Sequence, residues 1–158
     1  MSDGRGDFPS PWHGMPLCEH GYQFDCEQCT ARPSTTDSWL IEKVLDAAGE
    51  VHRELGSGHT EAVYEAGLEV ELGLNDISPI RRQVPCPITY KGCVIGTGFI
   101  DILIGDLLIV ELKTIAKLTS KETAQVRKYL QGTGVSVGLL LNFGQGPEWT
   151  IVKKDNHA

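Results

Sequence analysis

Three charged residues interrupt an otherwise apolar stretch, residues 99–113: Asp101, Glu111 and Lys113. Buried charges are unfavourable unless they are paired or bind a metal ion. Two carboxylates suit Mg²⁺ or Mn²⁺, and a lysine beside them can orient a hydroxide and offset negative charge at a phosphate under attack. Glu111 and Lys113 are two apart, so on a strand they point the same way. The residue types indicate metal-assisted hydrolysis of a phosphate ester, with a structural ion cluster as the alternative.

The length of one hairpin loop decides whether Asp101 and Glu111 can share a site. A three-residue loop at 105–107 places Asp101 directly opposite Glu111, and opposite residues of an antiparallel pair lie on the same face. A two-residue loop would pair Asp101 with Val110 and send Glu111 to the other face. A shared metal site therefore requires the three-residue loop or a bulge.

The periodicity of the apolar residues predicts three helices and five strands around this hairpin. The helices are expected at 39–55, 60–72 and 121–132. The strands are expected at 81–90, 93–104, 107–113, 135–144 and 148–154. Asp37 or Ser38 can cap the first helix, and Thr119 with Glu122 has the spacing of a capping box before the third. The apolar positions of the second helix are expected to be Val63, Ala66, Leu68 and Val70. The order predicts an α/β fold with a mixed central sheet flanked by helices.

Short motifs on both sides of the hairpin match one known family in order. "DILIGDLLIVELK" (101–113) has the form D…E-x-K, "GHTEAVY" (58–64) has the form GxxExxY, and "AQVRKYL" (124–130) has the form Q-x-x-x-Y. A strand "GLLLNFG" (138–144) follows. Over residues 38–153 the chain resembles the PD-(D/E)XK nuclease superfamily, and within it the GxxExxY proteins. The resemblance implies a restriction-endonuclease-like αβββαβ core.

The resemblance also implies an activity: metal-dependent hydrolysis of nucleic-acid phosphodiester bonds, with DNA as the expected substrate. It implies that Mg²⁺ or Mn²⁺ is bound by Asp101, Glu111, the Leu112 carbonyl and Glu61. Lys113 is implied to be the catalytic lysine.

Further family positions fall on the two helices that flank this hairpin. Gln125 and Tyr129, one helical turn apart, are implied to face the site and to position substrate or Lys113. Tyr64 is interpreted as core packing rather than chemistry. Two positions depart from the family: Ile100 stands where the superfamily's name has proline, and Glu122 stands where many relatives have histidine.

A separate cysteine and histidine cluster precedes this part of the chain. Its members are Cys18, His20, Cys26 and Cys29, with the spacing C-x-H-x5-C-x2-C. The set suits a tetrahedral zinc site, although His13 could replace His20 as a ligand. The expected organisation is a disordered tail at 1–16, a zinc knuckle at 17–30, a linker at 31–37 and a nuclease-like domain at 38–158.

Cys86 and Cys93 are expected to remain unbridged. A turn at 91–92 pairs Tyr90 with Cys93 and Cys86 with Thr97, which keeps the two thiols apart. The beginning of the chain has no apolar signal segment, so a cytoplasmic, reducing location is expected, where thiols and metal ligands are commoner than disulfides.

The overall charge and hydropathy limit the classes of partner. The net charge of −7 is unlike that of a tight, non-specific nucleic-acid binder. No run approaches the roughly 18 apolar residues of a membrane helix. The acidic charge supports a second hypothesis, a non-catalytic nucleic-acid- or protein-binding regulatory module on an inherited nuclease fold. The sequence leaves open whether the chain forms a homodimer or joins a larger nuclease complex.

Overall fold

A computed structural model describes residues 35–144 and 148–154, with side chains from Asp37 onward. The predicted zinc ligands, Cys18, His20, Cys26 and Cys29, lie outside the described residues, as do the predicted tail and the start of the predicted linker. In the part of the chain that is described, no helix is both long enough and apolar enough to cross a membrane.

Three helices and five strands are present, in the predicted order. The helices are α1 (Thr35–Leu55), α2 (Glu61–Leu74) and α3 (Ser120–Thr133). The strands are β1 (Ile80–Tyr90), β2 (Cys93–Ile104), β3 (Leu108–Lys113), β4 (Val137–Asn142) and β5 (Glu148–Lys153). The ends differ by a few residues: α1 takes in the end of the predicted linker, and α3 continues to Thr133. The helix stops there because Gly134 adopts the left-handed conformation, with φ 79°, and its amide bonds back to Leu130 O.

The five strands form one mixed sheet in the order β1-β2-β3-β4-β5. β3 and β4 are parallel and are connected through α3, whereas the other neighbouring pairs are antiparallel. This architecture confirms the predicted α/β fold with a mixed central sheet flanked by helices.

Helices cover the central part of the sheet on both faces. Side chains of α1 and α2, such as Leu45 and Leu68, pack with Leu141 of β4 in one core cluster. Side chains of α3, such as Val126, pack with Leu140 of β4 in a second cluster. Every residue of β4 is buried, as expected of a strand covered on both faces. The hairpin carrying the charged residues therefore lies between two helical layers.

The buried face of α2 differs from the prediction. The buried residues are Tyr64, Glu65, Leu68 and Leu72. Val63 and Val70 are 39% and 62% exposed, so two of the four predicted apolar positions face outward. Apolar side chains often remain at the surface, so hydrophobicity alone did not identify the buried stripe. The true stripe includes an acid, Glu65.

The register of the β1–β2 hairpin is shifted by one residue from the prediction. Tyr90 pairs with Cys93 as expected, but Cys86 lies opposite Gly98 rather than Thr97. Ile88 pairs with Gly96 and Thr89 with Val94, so Ile95 of β2 is the extra residue of a bulge opposite this step. Cys86 and Cys93 are both free thiols, which confirms that they do not bridge.

Candidate active site

The β2–β3 hairpin has the odd loop that a shared site requires. Its ladder pairs are Ile102 with Val110, Leu103 with Ile109, and Ile104 with Leu108. Residues 105–107 therefore form a three-residue loop, closed by a hydrogen bond from Leu107 N to Ile104 O at 3.1 Å. Continuing this register places residue 101 opposite residue 111, so the predicted hairpin geometry is confirmed.

Asp101 and Glu111 replace the backbone ladder at this point. The Asp101 amide donates to Glu111 Oε1 at 2.9 Å. The Leu112 amide donates to Asp101 Oδ2 at 2.9 Å. The ladder of the two strands ends at Ile102 and Val110, and beyond it each carboxylate accepts from the opposing strand's backbone. Two carboxylates thus meet at the place where β2 and β3 separate.

Glu111 is held in an environment that disfavours its charge. The residue is 2% exposed. Burial raises the pKa of Glu111 to about 8, and the neighbouring Asp101 charge adds to the effect. At neutral pH the carboxyl group therefore retains its proton unless a cation compensates the charge.

The donor set fits a hard divalent cation. Mg²⁺ is usually held by one or two carboxylates, with waters and substrate phosphates completing its shell. Asp101 and Glu111 provide two such groups, and a cation between them would relieve their repulsion. Among residues 35–144 and 148–154, no three acidic, histidine or cysteine side chains are grouped closely enough to form an all-protein metal cage. The set suits Mg²⁺ or Mn²⁺ that keeps open positions.

Lys113 is oriented by helix α3. Its Nζ donates to Gln125 Oε1 at 2.9 Å, and Gln125 Nε2 donates to the Tyr129 hydroxyl at 3.3 Å. Gln125 and Tyr129 are four residues apart, so they share one face of the helix. The Tyr129 ring packs closely over Gly98, where an added Cβ would lie 2.8 Å from Tyr129 Cε1. The three predicted residues are therefore brought together in one chain of hydrogen bonds.

A third carboxylate, not predicted from the sequence, joins the group from α2. Glu65 is 4% exposed. Its Oε1 accepts from Arg82 Nε at 3.0 Å, and its Oε2 accepts from Gln83 Nε2 at 3.0 Å. The same Gln83 nitrogen also donates to Asp101 Oδ1 at 3.2 Å. A signal existed in the sequence, because Glu65 shares the 3- and 7-residue spacing of Leu68 and Leu72.

Glu61 and the Leu112 carbonyl are the two predicted metal ligands whose role in binding the cation the structure defines least. Glu61 lies one turn before Glu65 on α2. Among the described residues, no hydrogen bond joins Glu61 to Asp101 or Glu111. Leu112 contributes its amide to Asp101. Metal binding by Glu61 and by the Leu112 carbonyl therefore stays a prediction.

Asn142 fixes the loop that follows Lys113 and was also missed from the sequence. This residue is 1% exposed and lies opposite Lys113 in the parallel pair of β3 and β4. Its Oδ1 accepts from the Ile115 amide and its Nδ2 donates to Ile115 O, both at 3.0 Å. The Nδ2 group also donates to Glu148 Oε2 at 3.0 Å, and Glu148 accepts from the Leu118 amide. The segment between β3 and α3 is thereby held to the ends of β4 and β5.

The comparison with family models identifies one match. The model of the PD-(D/E)XK nuclease superfamily matches residues 38–153, a range that contains the whole hydrogen-bonded group. Among curated proteins, none matches the chain.

A similar fold occurs in a solved structure. The crystal structure of SSO0001 aligns with a TM-score of 0.50 at 19% identity, over 77% of this chain and 60% of that one. The chain thus spans 60% of that protein's length, and at this identity the likeness concerns the fold alone. The mixed sheet flanked by helices is consistent with a restriction-endonuclease-like core.

Proposed function

Because this chain belongs to the PD-(D/E)XK nuclease superfamily, we propose that it is a Mg²⁺- or Mn²⁺-dependent nuclease. The substrate is nucleic acid, with DNA expected. The observation that carries the proposal is the meeting of Asp101 and Glu111 where β2 and β3 separate, with Lys113 on the same strand as Glu111. An apolar hairpin has no structural need for two adjoining carboxylates, one of them almost fully buried.

The residues divide the work of hydrolysis between them. A divalent cation held by Asp101, Glu111 and the Leu112 carbonyl would activate a water molecule and neutralise charge on the phosphate. The Lys113 ammonium group has three donors, of which Gln125 engages one. The remaining donors can orient the attacking water and stabilise negative charge on the phosphate oxygens in the transition state. Gln125 and Tyr129 act through Lys113 as positioning residues.

Finer assignments extend the same proposal. Gly58, Glu61 and Tyr64 support placement in the GxxExxY branch of the superfamily. Tyr64 is fully buried, donates to Gly56 O at 2.6 Å and stacks on Phe143, so its part is to hold the loop before α2. We assign Glu65 as an acid that supports the cation, alongside or in place of Glu61, because its carboxylate is linked to Asp101 through Gln83.

The zinc knuckle stays part of the proposal as an accessory binding element. Its ligands are Cys18, His20, Cys26 and Cys29. Metal analysis of protein purified without added zinc should find about one zinc ion per chain, since four such ligands complete one tetrahedral site. Serine in place of Cys26 and Cys29 should remove it, and a zinc content unchanged by that substitution would rule out this ligand set.

A second candidate is a non-catalytic regulatory module that binds nucleic acid or protein. Two observations favour it: the net charge of −7, and the absence of a three-ligand metal group in the described part of the chain. Such a module would bind its partner equally well with and without a divalent cation.

A cleavage assay separates the two candidates. Labelled single-stranded, duplex and branched DNA, together with RNA, are incubated with the full chain in Mg²⁺, Mn²⁺ or EDTA. The nuclease proposal predicts cleavage of at least one substrate with either cation and none in EDTA. Binding without cleavage under every condition would favour the regulatory module.

A further inference from the structure

Gln83 connects the helix carboxylate to the hairpin carboxylate. Its Nε2 lies 3.0 Å from Glu65 Oε2 and 3.2 Å from Asp101 Oδ1. Because one nitrogen serves both oxygens, those oxygens can be no more than about 6 Å apart. The side chain of Gln83 thus sets an upper limit on the separation of two acids that come from different elements.

The backbone of Gln83 is unusual for a residue inside a strand. Its φ is 51°, in the left-handed region that residues other than glycine seldom adopt. The neighbouring pairs, Arg82 with Ile102 and Val84 with Ile100, are regular, but Gln83 forms no ladder pair with Asp101. Such a conformation persists only where its surroundings hold it, and it is common at functional sites. Here the side-chain amide is held by both carboxylates.

The preceding residue fixes the other side of Glu65. Arg82 Nε donates to Glu65 Oε1 at 3.0 Å and lies 3.7 Å from Glu69 Oε2. The guanidinium compensates the buried charge of Glu65, whereas the neutral amide of Gln83 adds direction without adding charge. Two consecutive residues of β1 therefore have separate effects on the same carboxylate.

We propose that Gln83 is a positioning residue that holds Glu65 and Asp101 within reach of a single divalent cation. The inference rests on the proposed function of Asp101. Oxygen ligands lie about 2.1 Å from Mg²⁺, so two oxygens held this close can contact one ion directly or through one of its waters. Residues that orient metal ligands commonly change metal affinity by about 10–100-fold when they are replaced.

Mn²⁺ titration calorimetry of the full chain tests this role. Gln83→Gly removes the side chain and leaves a residue that adopts positive φ without strain, so the fold is spared. Gln83→Asn provides a second variant, because asparagine also tolerates this conformation but is too short to bridge both acids. Gln131→Ala, on an exposed glutamine of α3, is the matched control.

The expected result is a loss of Mn²⁺ affinity of about tenfold or more in both Gln83 variants and none in Gln131→Ala. Circular dichroism in EDTA should show both variants folded at the temperature of the titration, and on a cleaved substrate kcat should fall more than KM changes. Wild-type Mn²⁺ affinity in Gln83→Gly and Gln83→Asn would overturn the inference. Asp101→Asn in the same titration separates a failure of the Gln83 inference from a failure of the proposed metal site. If Asp101→Asn also binds Mn²⁺ like the wild type, the proposed metal site itself is wrong.

Discussion

The Asp101 amide donates to the carboxylate of Glu111 at 2.9 Å, across two strands whose ladder has just ended. The contact places a carboxyl group with a pKa of about 8 beside a second carboxylate. A protein that needed only a stable hairpin would gain from apolar side chains at these positions. The crowding is understandable if the two groups bind a cation.

The first prediction concerns the pH dependence of stability without metal. The pKa of Glu111 rises from 4.5 to about 8 on folding, so between those values the folded state keeps a proton that the unfolded state releases. The free energy of unfolding should therefore fall as pH rises through this window, by up to about 1.4 kcal/mol per pH unit. Urea unfolding in EDTA at pH 5, 6.5 and 8 measures it. Glu111→Gln should show a flatter dependence; equal slopes in the two proteins would refute the assignment.

The second prediction is that neutralising the two acids has opposite effects on stability. Glu111→Gln keeps an oxygen to accept from the Asp101 amide and removes the buried charge, so its melting temperature in EDTA at pH 8 should exceed that of the wild type. Both oxygens of Asp101 accept hydrogen bonds, one from the Leu112 amide and one from Gln83. Asp101→Asn replaces one of these acceptors with an NH₂ donor, so its free energy of unfolding should fall by about 1–3 kcal/mol. Both variants should lose Mg²⁺-dependent stabilisation. A structural ion cluster would instead give destabilisation by both variants and no Mg²⁺ effect on any of the three proteins.

The third prediction concerns the two residues that orient Lys113. Gln125→Ala frees the ammonium group and should lower kcat by about 10²-fold, the size of effect that a displacement near 1 Å can have. Tyr129→Phe leaves the hydrogen bond between Lys113 and Gln125 in place and removes the acceptor of the longer 3.3 Å bond, so its loss of kcat should be smaller. Steady-state kinetics on a cleaved substrate would show the ranking. Equal kcat values for Gln125→Ala and the wild type would show that Gln125 does not position Lys113 for catalysis.

The fourth prediction separates Glu65 from Glu61, a matched pair on one face of α2. Glu65→Gln removes the nearer of the two carboxylates beside Arg82, leaving Glu69 at 3.7 Å, and should lower the free energy of unfolding by about 1–3 kcal/mol and weaken metal binding. Glu61→Gln should change the free energy of unfolding little, because among the described residues no hydrogen bond joins the Glu61 side chain to Asp101 or Glu111. Chemical unfolding and Mn²⁺ titration of both variants give the comparison. A larger loss of Mn²⁺ affinity in Glu61→Gln would restore Glu61 as the helix ligand.

The sequence was most informative where local rules decide the structure. The capping box of Thr119 and Glu122 is present at the start of α3. The hairpin has the three-residue loop that the parity argument required for Asp101 and Glu111 to share a site. Such features depend on residues close together in the chain. The order of the elements followed from the change of apolar period, and the mixed sheet followed from that order.

The missed residues depend on contacts between distant segments. Gln83 contacts Asp101 across 18 positions, and Asn142 contacts Ile115 across 27. Polar residues such as these also occur commonly on solvated surfaces, so their residue type did not indicate a place in the site. The bulge at Ile95, opposite Ile88 and Thr89, shifted the partner of Cys86 by one position and likewise has no strong local signature. Glu65 could have been found, because an acid on a buried helical stripe is unusual.

Replacement of Lys113 by alanine is the most direct test of the central claim that this group of residues is a nuclease site. Cleavage of the preferred substrate and Mn²⁺ affinity are measured on the same preparations, with Lys128→Ala, an exposed lysine of α3, as the control. A nuclease site predicts that Lys113→Ala loses at least about 10²-fold in kcat, keeps its melting temperature and still binds Mn²⁺. Lys128→Ala should cleave like the wild type. Undiminished metal-dependent cleavage by Lys113→Ala would contradict the claim.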